Sequence, residues 1–130
     1  MIAKEDILEL LRSTESYRVE RTVSTGNMDK FCEAICAFAN DMPGSRKNGY
    51  LIIGAKDDGS IAGMKVDDAL LKKIAGIRSD GNILPLPTMS VERFSFPAGD
   101  LLVAEVRPSD LPPVRYLSLI HISEPTRQAE

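Results

Sequence analysis

Residue types that commonly carry out chemistry are scarce in this sequence. Tryptophan is absent, aromatic residues make up only 5% of the chain, and His121 is the single histidine. Most of the aromatic residues occupy positions that helix and strand periodicity assigns to a core, so a stacking platform for single-stranded nucleic acid is not expected. Tyr17 and Tyr116 are the two exceptions.

Only two cysteines are present, Cys32 and Cys36, which is too few for a disulfide framework. Because they are four residues apart on a predicted helix, they share one face of it. A metal site would need additional ligands, so the pattern favours two small buried residues in a reducing compartment. A cytoplasmic location is therefore expected.

The sequence also lacks a long apolar run and a strong excess of charge. No run approaches the ~18 residues of a membrane-spanning helix, and the N-terminus lacks the basic and apolar regions of a signal peptide. The formal net charge of −3 argues against a generally basic nucleic-acid-binding surface but leaves room for a local basic face. The length of 130 residues and the 43% hydrophobic content predict a single soluble domain.

The C-terminal segment has a different character. Residues 117–127 read Leu-Ser-Leu-Ile-His-Ile-Ser-Glu-Pro-Thr-Arg, the peptide that a common transposase sequencing adaptor encodes. We therefore expect a native domain over residues 1–116, cut short in a metagenomic fragment, and a non-native tail over 117–130. The alternative is a native amphipathic tail. If the tail is foreign, so is His121, and neither a Ser-His-Asp nor a Cys-His catalytic arrangement can form.

Hydrophobic periodicity predicts an α+β fold. The predicted helices cover residues 3–12, 28–40 and 66–78. The predicted strands cover residues 16–23, 50–55, 61–64, 89–96 and 101–106. The order αβαββαββ indicates a single domain in which about three helices pack on a mixed β-sheet. Asn27 is a predicted helix N-cap, and Gly54 within a strand indicates a bend or a close backbone approach.

Three motifs occur in a characteristic order: Glu-Ser-x-x-x-Glu at residues 15–20, Ala-Phe-Ala-Asn at 37–40, and Gly-x-Leu-x-Ile-Gly-x-x-Asp-Asp-Gly at 49–59. In these motifs, residues 12–116 resemble the Schlafen-type, AlbA-like family of DNA-binding domains. The most similar subgroup is the N-terminal domain of prokaryotic transcriptional regulators related to RecG helicases. The resemblance implies a further sheet strand after Tyr116, where the adaptor-like segment begins instead.

The resemblance implies that the chain binds nucleic acid, and DNA in particular. The loop 43–49 suits phosphate contacts because it combines two glycines with Arg46 and Lys47. Further candidate contacts are Arg18, Arg21 and Lys56. The pattern of a P-loop is absent, which makes a nucleotide-binding role the weakest interpretation. No cofactor and no membrane partner are expected, and a homo-oligomer is left open.

The alternative is a metal-dependent nuclease. Nuclease members of the family resemble this chain in two glutamates five residues apart and a later aspartate, here Glu15, Glu20 and Asp58. Converging carboxylates could hold Mg²⁺ or Mn²⁺ for an endoribonuclease reaction. However, Arg21 shifts the positive charge that usually follows the second glutamate by one residue, and so places it on the opposite face of the strand. Binding without catalysis is therefore favoured, and the question of an enzyme stays open.

Overall fold

The chain folds into a four-stranded mixed β-sheet with helices on both faces. The computed structural model describes residues 4–12, 19–41, 46–79, 83–84, 86–109 and 113–116. Its helices are α1 (Lys4–Arg12), α2 (Met28–Asn40) and α3 (Asp68–Ala75), and a 3₁₀ turn (Gly76–Arg78) extends α3. Its strands are β1 (Val19–Thr22), β2 (Gly49–Ile53), β3 (Ile83–Leu84), β4 (Met89–Phe96), β5 (Gly99–Val106) and β6 (Arg115–Tyr116).

The strand order in the sheet is β1-β2-β5-β4. β1 and β2 are parallel, as expected for strands that a helical crossover such as α2 connects. β5 pairs antiparallel with β2 on one side and with β4 on the other. β4 and β5 form a hairpin in which Phe96 pairs with Gly99, which leaves Pro97 and Ala98 as the turn. The short strands β3 and β6 form a separate antiparallel pair.

The sheet has an apolar core on each face. α2 and α3 cover one face, where Phe31, Ile35 and Phe38 of α2 join Leu51 and Ile53 of β2 in one cluster. This confirms the predicted apolar face of α2. The other face is covered by α1, whose Ile7 and Leu11 pack with residues of β2, β4 and β5. Because side chains alternate along a strand, neighbouring residues of β2 and β5 belong to different clusters.

Several local predictions are confirmed. α2 spans residues 28–40 as predicted, and the Asn27 side chain caps it by accepting a hydrogen bond from the Lys30 N–H at 3.1 Å. Cys32 and Cys36 are buried and form no disulfide bond with each other. Burial is the main reason why the pKa of Cys36 is raised to about 11. Gly54 adopts φ +108°, and a Cβ there would lie 2.6 Å from the Asp100 carbonyl oxygen. The predicted close backbone approach is therefore present.

Other elements differ from the prediction. The return strand predicted over 61–64 is only a single bridge between Ala55 and Ile61. The helix predicted over 66–78 starts later, because the Asp67 side chain accepts from the Leu70 N–H at 2.8 Å and caps the helix there. The short strand β3 lies between the predicted helix over 66–78 and the predicted strand over 89–96, where no strand is predicted. None of these differences changes the predicted α+β class.

Some predictions fall outside the described residues. These are the positions of Glu15 and Arg18, the start of the strand predicted from residue 16, and the tail over 117–130. Within the described part of the chain, no helix has both the length and the apolarity needed to cross a membrane.

Candidate nucleic-acid interface

The face of the sheet that carries α1 ends in a polar surface that the helix does not cover. Glu105 follows Val103 by two residues in β5, so both lie on this face. Glu105 pairs with Tyr50 of β2 on one side and with Ser90 of β4 on the other. One polar row, Tyr50–Glu105–Ser90, therefore crosses three strands.

A second polar row lies beyond the first. Gly49 pairs with Val106, so the same register places Asn48 opposite Arg107. The Arg107 N–H donates to the Thr88 carbonyl at 2.9 Å, which extends the β4–β5 ladder by one residue. Asn48, Arg107 and Thr88 therefore form the outer row. Both rows contribute to an open groove of about 390 Å³, lined by Asn48, Thr88, Met89, Ser90, Glu105 and Arg107.

The central group of this groove is the Glu105 carboxylate. Its Oε2 accepts hydrogen bonds from the Asn48 side-chain amide at 3.0 Å and from the Tyr50 hydroxyl at 3.1 Å. Burial, followed by the negative charge of Glu105 and this hydrogen bond, raises the pKa of Tyr50 to about 12. Tyr50 therefore keeps its proton at neutral pH and acts as a hydrogen-bond donor that orients the carboxylate.

Cations gather at the same end of the sheet. Arg46 and Lys47 are exposed and directly precede Asn48, which lines the groove. Arg46 adopts φ +60°. Its backbone N–H donates to the Asp41 carboxylate at 2.7 Å, which helps to fix the backbone at Arg46. Arg107 is exposed, and no ion pair to its guanidinium occurs among the residues that the structure describes. The register thus brings Arg107 beside Asn48, which directly follows Arg46 and Lys47 in the sequence.

The other two cations with described positions lie elsewhere. Arg21 is only 4% exposed, and its guanidinium donates to the carbonyls of Leu10 at 3.4 Å and Asp57 at 3.0 Å. It connects the last turn of α1 to the turn after β2, and it does not present its charge at the surface. Lys56 is exposed but follows β2, whereas Lys47 precedes it. At ~3.3 Å per residue, the two lysines are separated by about the full length of a strand.

Two of the three carboxylates predicted for a nuclease site, Glu20 and Asp58, have described positions. Glu20 lies on the side of β1 that faces α2, where its Oε2 is 3.4 Å from the Lys30 ammonium. Asp58 lies in the turn after β2, and this turn contacts α1, because a Cβ on Gly59 would overlap the Leu11 carbonyl. Glu20 therefore lies on the α2 side of the sheet, whereas the turn that carries Asp58 contacts the helix on the other side.

Asp58 also has a local structural role. Its carboxylate accepts from the Ser60 hydroxyl at 2.6 Å and from the Ser60 N–H at 2.9 Å. These hydrogen bonds lower the pKa of Asp58, because they stabilise its charged form. Among the described residues, no group of three or more His, Cys, Asp or Glu side chains is arranged to hold a metal ion. Glu15 lies outside the described residues, so a Mg²⁺ or Mn²⁺ site of Glu15, Glu20 and Asp58 stays a prediction.

Sequence reasoning identified the loop but missed Arg107, Glu105 and Asn48. Arg107 directly follows the strand predicted over residues 101–106 and so lies outside every predicted element. The alternation of side chains along a strand could have indicated Arg107, because it places Glu105 and Arg107 on the same face. Asn48 could not be placed beside them, because that requires the register between β2 and β5.

The fold and motifs agree with one protein family. Residues 15–125 match the family described as Schlafen, AlbA_2. This match covers most of the chain, so the protein belongs to that family, as its motif order predicted.

A solved structure has a similar fold. It is the solution NMR structure of the N-terminal domain of a Nitrosomonas europaea protein related to the ATP-dependent DNA helicase RecG. The sequence identity is 24%, the TM-score is 0.62, and the similarity covers 85% of this chain and 76% of that one. At this identity the likeness concerns the fold. No curated protein matches the chain.

Proposed function

We propose that this domain binds nucleic acid, DNA in particular, through the groove end of its sheet. The observation that carries the proposal is that one polar groove is lined by both Arg107 and Asn48, the residue directly after Arg46 and Lys47. Three positive charges at one sheet end form a local basic site on a protein whose formal net charge is −3. Phosphate contacts of this kind supply affinity that depends on salt and carries no sequence information directly.

The test is the salt dependence of oligonucleotide binding, measured by fluorescence anisotropy. With three phosphate contacts, the slope of log K against log salt should be roughly −2 for single strands and −3 for duplexes. The double substitution Arg46→Ala with Lys47→Ala should weaken binding to all sequences alike and make the slope shallower by about 2. Arg107→Ala should also weaken binding to all sequences, and it should make the slope of log K against log salt shallower by about 1.

A matched control is the double substitution Lys72→Ala with Lys73→Ala. It removes the same charge from exposed positions on α3, which covers the opposite face of the sheet. Binding should be nearly unchanged in this control. If both double variants reduce affinity equally, net charge and not the groove end governs binding, and the proposed interface is wrong.

A finer proposal concerns the biological setting. On the strength of the motif resemblance, we propose that the domain is the N-terminal part of a prokaryotic, cytoplasmic transcriptional regulator. Selection of duplexes from a random library by the full-length gene product tests this. A defined operator-like sequence would support the proposal, whereas recovery of unrelated sequences would count against it.

The same preparations test the nuclease alternative. Incubation of RNA and DNA with the protein and Mn²⁺ should give no cleavage that depends on Glu20, since its carboxylate is paired with Lys30. Cleavage that disappears in Glu20→Ala would replace the binding proposal with a catalytic one.

A further inference from the structure

One group in the groove does not suit phosphate binding, and this is the Glu105 carboxylate. It lies at the centre of the row Tyr50–Glu105–Ser90, and the exposed Arg107 follows it by two residues on the same face. A fixed negative charge repels phosphate oxygens, so a surface built only for backbone contacts gains nothing from it. Its position therefore indicates a ligand group that donates hydrogen bonds.

The carboxylate is oriented with one oxygen available. The hydrogen bonds from Asn48 and Tyr50 both reach Oε2. No hydrogen bond from the described part of the chain reaches Oε1. Tyr50 and Asn48 thus fix the orientation of the Glu105 carboxylate in the groove, where Oε1 can accept a hydrogen bond. The Ser90 side chain lies on the adjacent strand, ~5 Å away across the pair, and its hydroxyl can donate or accept.

A nucleobase supplies the matching chemistry. Carboxylates accept hydrogen bonds from the N4 amino group of cytosine, whereas thymine and uracil carry a carbonyl oxygen at that position. Cytosine N3, adjacent to N4, is an acceptor that the Ser90 hydroxyl can satisfy. This Watson–Crick edge is exposed only when the base is unpaired, and the groove volume of about 390 Å³ is within the range of small-ligand sites.

We propose that the groove binds one unpaired nucleotide and selects a base with an exocyclic amino group, cytosine over thymine or uracil. In this arrangement Glu105 accepts from the amino group, Ser90 contacts the neighbouring ring nitrogen, and Arg107 contacts the phosphate. The proposal rests on the nucleic-acid binding proposed above, and it adds base selection to a site that otherwise reads only the backbone.

The experiment compares labelled ten-nucleotide oligo-dC and oligo-dT for binding to the full chain at one salt concentration. The wild type should bind oligo-dC at least about fivefold more tightly, the lower end of what a good pair of hydrogen bonds discriminates. Glu105→Gln keeps the shape but can donate to the thymine carbonyl, so it should abolish the preference. Ser90→Ala should reduce the preference for oligo-dC. This variant provides an independent test if Glu105→Gln is unstable.

Glu33→Gln is the matched control, since it removes one negative charge from an exposed position on α2, across the sheet from the groove. It should leave the preference for oligo-dC unchanged. Equal binding of oligo-dC and oligo-dT by the wild type would overturn base selection and leave nucleic-acid binding intact. A preference that survives in Glu105→Gln would also overturn it. Absence of binding to either oligonucleotide, single-stranded or in a duplex, would instead overturn the proposed function itself.

Discussion

At the scale of single residues, position in the sheet determines what an arginine can do. Arg21 and Arg107 both lie on the face that carries α1, but α1 packs over Arg21 and leaves Arg107 exposed. The buried guanidinium satisfies backbone carbonyls at the end of a helix, where positive charge is favourable. The exposed guanidinium is available to a ligand. Local sequence does not distinguish the two, because the difference depends on where another element packs.

Tyr50 provides a residue-scale prediction. Its pKa of about 12 should appear as a late component in a spectrophotometric titration of the wild type, and this component should be missing in Tyr50→Phe. Because the folded-state pKa lies above the ordinary value of ~10, Tyr50 stabilises the fold fully below pH ~10, and this contribution is lost as the pH rises towards the folded-state value.

The neighbouring carboxylate offers the control for this titration. Glu105→Gln should shift the late component to lower pH, because it removes one of the charges that raise the pKa of Tyr50. If the component lost in Tyr50→Phe has an ordinary pKa, the hydroxyl is not held against Glu105 and the groove geometry is wrong.

At the scale of elements, α2 supports the main core. Phe38 is 3% exposed, and a Cβ on Gly49 would overlap its ring, so the helix and β2 are in close contact. Phe38→Ala should lower the free energy of unfolding by about 3–5 kcal/mol, measured by urea denaturation. Val23→Ala, at a position that is 53% exposed, should change it by less than ~0.5 kcal/mol. A loss below ~1 kcal/mol for Phe38→Ala would mean that α2 is not part of the core.

The close backbone approach at Gly54 gives a second prediction at the scale of elements. Gly54→Ala combines a positive φ with a Cβ that approaches the Asp100 carbonyl oxygen, so it should cost at least about 1–3 kcal/mol of stability. Gly26→Ala is the matched control, because nothing lies within 4 Å of a Cβ there. Thermal unfolding of both variants measures the difference. Equal stability of the two would contradict the close approach of β5 to the end of β2.

Elements differ in how far their own sequence specifies them. α2 has a helical apolar period, a capping asparagine and sufficient length, so it could be predicted to the residue. β3 and β6 have two residues each, too few to show a period, and they exist only because distant segments pair. The groove follows the same logic, since the sequence indicates Arg46 and Lys47 but only the pairing of β2 with β5 adds Asn48 and Arg107.

At the scale of the whole molecule, Glu20 and the turn that carries Asp58 lie against different helices, on the two sides of the sheet. Glu20 lies next to Lys30 of α2, whereas the turn that contains Asp58 contacts Leu11 of α1 through Gly59. Their spacing in the sequence matches the nuclease pattern, but linear spacing does not specify on which face a side chain lies. The polar groove, in contrast, takes its polar side chains from one face of three neighbouring strands.

The adaptor-like segment gives a prediction for the molecule as a whole. The chain 1–116 and the full chain should have the same free energy of unfolding within ~0.5 kcal/mol, the usual size of surface effects. Chemical denaturation of both chains under identical conditions measures this. A loss of more than ~2 kcal/mol on removing residues 117–130 would show that the segment is structurally integrated and not foreign.

The strand order also has a consequence for synthesis of the protein. The central pairing joins residues 49–53 of β2 to residues 102–106 of β5. About fifty further residues must therefore be synthesised before β2 can pair with β5. At ~5–20 residues per second this takes roughly 3–10 seconds. During that interval Leu51, Ile52 and Ile53, fully buried in the finished protein, border an open strand edge that can pair with other chains. Translation through this segment is therefore the period in which the nascent chain most needs protection from aggregation.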